Sequence, residues 1–203
     1  MVRKIQCLVI LVLALALPAV SHAQVGIEKK HKSYKDNYMV TGSVKGPFYD
    51  PHSKSYFELR WRKKGRKWRQ AYLEAQTLEY KGTKGRLALV KDLEIHSFIQ
   101  THFNISAATW IGLQYYCDEQ RLNWADNSTL QKGDFSAWHY QWARRDDIRC
   151  GFMSRKFTPG LNMKSHMGVS YIPLSKGMPA MWQASGPEKE YDFFIVEYPT
   201  GKE

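Results

Sequence analysis

Apolar and polar residues alternate along Ser55-Tyr56-Phe57-Glu58-Leu59-Arg60-Trp61, a two-residue period that predicts a strand. From Trp68 the period lengthens. Trp68, Ala71, Tyr72, Ala75 and Leu78 fall at or near three- and four-residue spacings, the stripe of a helix that Gly82 and Gly85 end. Arg86-Leu87-Ala88-Leu89-Val90 reads as a short buried strand. Asp92 is placed to cap a second helix whose buried face is Ile95, Phe98, Ile99 and His102 or Phe103. Thr109 to Leu113 reads as another strand, and Tyr191 to Tyr198 as a strong final one. Residues 114–190 read as loop-rich, with Trp124, Trp138, Trp142 and Trp182 scattered among Gly, Pro, Asn and Asp. Two helices, an early strand, a late strand and a long irregular middle imply an α+β domain, with the first and last strands paired in one sheet.

The first 54 residues stand outside this pattern. Arg3 and Lys4, the apolar run from Cys7 to Leu17 and the small-x-small triplet Ser21-His22-Ala23 read as a signal peptide over 1–23. That apolar run is too short for a membrane span, so the mature chain is expected to carry no transmembrane segment. The chain is expected to be exported, to the periplasm, the cell surface or the medium. Residues 24–54, Lys-rich with Gly42, Gly46, Pro47 and Pro51, read as a flexible basic extension, which leaves 55–203 as the folded domain. Two cysteines remain after the signal peptide, Cys117 and Cys150. In an oxidising compartment they are expected to form one disulfide, closing a loop of about 33 residues and contributing about 3–4 kcal/mol.

Composition narrows the classes. Hydrophobic residues make up 43% of the chain and aromatic residues 14%, which excludes a disordered chain or a rod. A formal net charge of +11 favours anionic partners, among which charge alone does not choose.

In order along the chain, the motifs resemble the C-type lectin-like domain family. They are Trp68-x-x-Ala71, Gly85-x-Leu87-Ala88-x-Val90, Glu94-x-x-x-Phe98-Ile99, Trp110-Ile111-Gly112-Leu113, Asn123-Trp124-x-Asp126, Leu130, Trp138, Trp182 and Phe194-Ile195-Val196-Glu197. The resemblance implies two helices flanking small antiparallel sheets, with ligands bound at a long loop region. It also implies a bridge from the first helix to the last strand, where this chain has Ala75 and Val196. The second family bridge lacks a partner after Trp182, so a bond from Cys117 to Cys150 would be non-standard. Calcium needs six to eight oxygen ligands, several of them carboxylates. The triplets that would supply them read Trp182-Gln183-Ala184 and Thr158-Pro159-Gly160 here, and Asp146-Asp147 lies between Arg145 and Arg149. The resemblance therefore implies the fold without calcium-dependent sugar binding, and no cofactor or metal is expected.

Two groups of residues are candidates for ligand contact. Arg60 to Arg69 holds Arg62, Lys63, Lys64, Arg66 and Lys67 in what reads as a solvated turn before the first helix. Guanidinium and ammonium groups there suit sulfate or phosphate oxygens, as on a sulfated glycan or lipopolysaccharide. Tyr140 and Trp142 are placed in the long-loop region, where exposed aromatic rings stack on sugars. Catalysis is not expected. The histidines show no His-x-x-x-His or His-Glu-x-x-His spacing, and there is no Gly-x-Ser-x-Gly elbow or glycine-rich phosphate loop. Asn104-Ile105-Ser106 and Asn127-Ser128-Thr129 fit the N-glycosylation pattern in a host that glycosylates. The expected function is recognition of a glycan or protein at a cell surface, the alternative being polyanion binding through Arg60 to Arg69. Nucleic acid is not an expected partner.

Overall fold

The structure is a computed structural model that describes residues 41–117, 119, 121–140, 166–175 and 177–203. Its elements run β1 (Thr41–Asp50), β2 (Ser55–Arg66), α1 (Trp68–Thr77), β3 (Glu79–Tyr80), β4 (Thr83–Lys84), β5 (Arg86–Leu87), α2 (Leu93–His102), β6 (Thr109–Tyr116), β7 (Arg121–Trp124), β8 (His166–Ile172), β9 (Met181–Ser185) and β10 (Tyr191–Tyr198). The main sheet has the order β1-β2-β10-β6-β8-β9, with β5 added to β10 and β7 to β6. All of its pairings are antiparallel except β10 with β6.

The sheet is buried on both faces. On β10, Phe194, Val196 and Tyr198 enter one cluster with Trp68, Ala71 and Ala75 of α1. Ile195 enters the other, with Ile95 and Ile99 of α2. A strand covered on both sides reads as a continuous apolar run, which is why Phe193-Phe194-Ile195-Val196 shows no alternation. The largest fully buried side chains are Trp110, Trp182 and Tyr171. Each fully buried large apolar side chain contributes roughly 1.5–3 kcal/mol.

The α+β class, both helices and the pairing of the early strand with the last one match the reading from sequence. Asp92 caps α2 as expected, its Oδ1 accepting from the Ile95 amide at 2.8 Å. Four details differ. Thr41–Asp50, read as part of a flexible extension, is an edge strand on β2. Its register shifts at Ser43/Lys45 and Lys45/Phe48, so no two-residue period marks it. β2 continues to Arg66 instead of turning after Trp61, because β10 keeps pairing with it up to Tyr191 opposite Arg66. The strand read over Arg86 to Val90 is regular for two residues only; Ala88 is held instead by the Ile195 carbonyl and by the Gly112 amide. Finally, the segment read as loop contains β7, β8 and β9.

Candidate functional site

The basic run lies on β2 and at the start of α1, and packing divides its charges. Arg62 is largely buried and donates to the Glu74 carboxylate on α1. The Arg66 guanidinium lies 3.6 Å from the same carboxylate. Arg66 also carries a structural bond through its backbone, whose carbonyl accepts from the Trp110 indole at 2.6 Å. Lys67 pairs at the surface with Glu188, which raises its pKa by hydrogen bonding and charge. Lys63, Lys64 and Arg69 are exposed, and among the described residues no carboxylate forms an ion pair with them. Of the five candidates, then, Lys63 and Lys64 point to solvent, while Arg62, Arg66 and Lys67 each meet a carboxylate.

The aromatic residues divide in the same way. Trp182 is fully buried, with Trp124, Phe135 and Trp138 set edge-on around it at 5.6–5.8 Å between ring centres. Backbone bonds from Ala137 and His139 lock their segment onto the outer edge of β9. Directly after it, Tyr140 is 77% exposed, its ring centre 4.1 Å from that of His139. Trp142, Asp146, Asp147, Cys150 and the Thr158-Pro159-Gly160 triplet lie outside the described residues. Cys117 is partly buried against the core just after β6.

Gln183 and Ala184 lie within β9, with Ala184 buried. Asp126 accepts from Lys91 at 2.6 Å and from the Ser128 hydroxyl and amide. Burial raises its pKa, but these bonds and the Lys91 charge outweigh that and hold it at about 2. The remaining cluster was not visible in the sequence. His52, Asp92 and Glu94 bring three ligand atoms within 4.8 Å of one another, the one such group among the described residues that could hold a metal ion.

Residues 69–164 match the lectin C-type domain family model. The chain carries a C-type lectin-like domain. Solved structures similar to this chain include two C-type lectins and a lithostathine. CEL-I from Cucumaria echinata is 12% identical over 70% of this chain and 89% of that one, with a TM-score of 0.46. The carbohydrate-recognition domain of the mouse scavenger receptor C-type lectin is 16% identical over 70% and 88%, with a TM-score of 0.48. Human lithostathine is 16% identical over 70% and 91%, with a TM-score of 0.45. No curated protein matches the sequence. In this lectin-like domain the helix-to-last-strand bridge is replaced by packing: Ala75 and Val196 are both fully buried in one cluster. Gly85 fits between them, since a Cβ there would come 2.7 Å from the Ala75 carbonyl oxygen and 2.8 Å from Val196 Cγ1.

Proposed function

We propose that this is an exported, non-catalytic C-type lectin-like protein that recognises a glycan or protein ligand at a cell surface without calcium. The observation that carries this reading is Tyr140. It is a large exposed ring held at its base by the β9 edge, at the point where the chain enters residues 141–165. Aromatic faces on a rigid support suit sugar rings. The absence of a carboxylate from Trp182-Gln183-Ala184 supports calcium independence. Among the described residues no helix is long and apolar enough to cross a membrane. The reading includes a signal peptide over 1–23, Trp142 as a second ligand contact and a Cys117–Cys150 disulfide.

A glycan array run with and without EDTA tests it. Binding that persists in EDTA and is lost in Tyr140→Ala supports the proposal, and binding abolished by EDTA overturns it. The disulfide is tested separately by thiol titration of the unfolded, unreduced protein, where two free thiols would rule it out.

A second reading rests on Lys63, Lys64 and Arg69, exposed cations without an ion-pair partner among the described residues. On a chain of net charge +11 they form a surface for a sulfated or phosphorylated polyanion. Salt separates the two readings, since polyanion binding collapses at moderate ionic strength and aromatic stacking does not.

A further inference from the structure

We propose that His52, Asp92 and Glu94 form a surface binding site for zinc or a similar borderline divalent transition metal, apart from the long-loop region. The three residues come from two elements far apart in sequence: His52 from the turn between β1 and β2, Asp92 and Glu94 from the start of α2. Their ligand atoms lie within 4.8 Å of one another, and His52 Nε2 is 3.0 Å from Asp92 Oδ2. An imidazole nitrogen with two carboxylates is a zinc donor set that leaves a coordination position open. It suits calcium poorly, since calcium takes oxygen ligands in larger number.

Two of the ligands are fixed before any metal arrives. The turn that carries His52 is pinned by the buried Asp50, whose carboxylate accepts from the backbone amides of His52 and Ser53 and from the Ser53 hydroxyl. Asp92 uses Oδ1 for its helix cap, which leaves Oδ2 turned to His52. Acids at a helix start need no metal to explain them, because the helix dipole favours them there. The dipole does not account for a histidine brought against them from another element. Elsewhere Glu58, Glu74, Glu79, Glu119, Asp126, Glu188 and Glu197 each face an arginine or lysine. Among the described residues no lysine or arginine forms an ion pair with Asp92 or Glu94, and the ion-pair partner of Asp92 is His52. With the imidazole neutral, these residues present one nitrogen ligand beside two carboxylates on the surface of a strongly basic protein.

The test uses the full mature protein, stripped with chelator and dialysed at about pH 8, where protons do not compete for the imidazole. Zinc chloride is titrated calorimetrically and by thermal shift, with calcium chloride as the comparison. The variants are His52→Ala, Glu94→Gln and Asp92→Asn, the last keeping a side-chain oxygen for the cap. The expected result is one equivalent of zinc bound with a rise in melting temperature, no response to calcium, and loss of that equivalent in His52→Ala and Glu94→Gln. No zinc binding by the parent, or an undiminished equivalent in any of the three variants, overturns the proposal. The outcome is independent of ligand recognition at the long loops.

Discussion

Trp68 lies directly on the backbone of Gly168: a Cβ on that glycine would come within 2.5 Å of the Trp68 Cβ and 2.6 Å of its indole Cγ. The contact presses the first turn of α1 against β8, and the indole nitrogen donates to the Ile111 carbonyl at 2.8 Å from the same position. Gly168 pairs in register with Gln114 on one side and Ser185 on the other, so its backbone has little room to withdraw. Gly168→Ala is expected to cost about 1–3 kcal/mol, the usual penalty for overpacking a core. Urea unfolding of the two proteins measures it, and equal midpoints would show that α1 shifts freely.

Glu197 is a buried carboxylate with a full set of donors. Arg86 reaches it twice, at 2.7 and 3.2 Å, the Leu89 amide lies at 2.9 Å and the Ser55 hydroxyl at 3.1 Å. Glu197→Ala leaves a largely covered guanidinium and a buried amide without their acceptor, with an expected loss of about 3–5 kcal/mol. Glu197→Gln, which keeps an acceptor, is expected to lose less. Denaturant titration of both variants gives the order.

His96 gives the lectin-like domain an acid-sensitive core contact. Its Nδ1 lies 2.8 Å from the hydroxyl of the fully buried Tyr171, and burial lowers its pKa below 6.5. The unfolded chain takes up that proton more readily than the folded one. Its contribution to stability is therefore complete above about pH 6.5 and declines as pH falls toward the folded value. His52 has the opposite sign, because hydrogen bonding and charge from Asp92 raise its pKa; its contribution is present at low pH and lost as pH rises through the folded value. Melting temperatures from pH 7.5 to 5 are expected to fall less steeply in His96→Gln than in the parent. Parallel curves would remove His96 from the explanation.

For the basic strand, Lys63, Lys64 and Arg69 changed together to Ser are expected to weaken heparin retention with little change in melting temperature. Exposed charges contribute less than about 1 kcal/mol each to stability, whereas together they set the local field. Arg66→Ala is expected to lower the melting temperature, since Arg66 shares Glu74 with Arg62 across the α1 contact. Unchanged elution of the triple variant would make these residues ordinary surface.

The elements legible in the sequence are those whose signal is local. α1, α2 with its Asp92 cap, and β10 each carry their own period, composition or capping residue; α2 and β10 follow it in their bounds, whereas α1 stops at Thr77, before the β3–β4 pair that holds Gly82 between its strands. The order of the tryptophan and glycine motifs was enough to name the family later matched over residues 69–164. Tertiary structure alone decided the rest, because the stabilising partners are distant in sequence. β1 is a strand only because β2 offers it hydrogen bonds, and its shifted register leaves no period to read. His96 is buried by a tyrosine 75 positions away, and Glu197 by a serine 142 positions away. Arg62 and Arg66 read as solvated cations until α1 folds back and places Glu74 between them. Likewise, His52 meets Asp92 and Glu94 only when the β1–β2 turn reaches the start of α2. A one-dimensional pattern records which side chains avoid water, but which charge faces which is fixed by the packing of elements whose separation along the chain carries no signal.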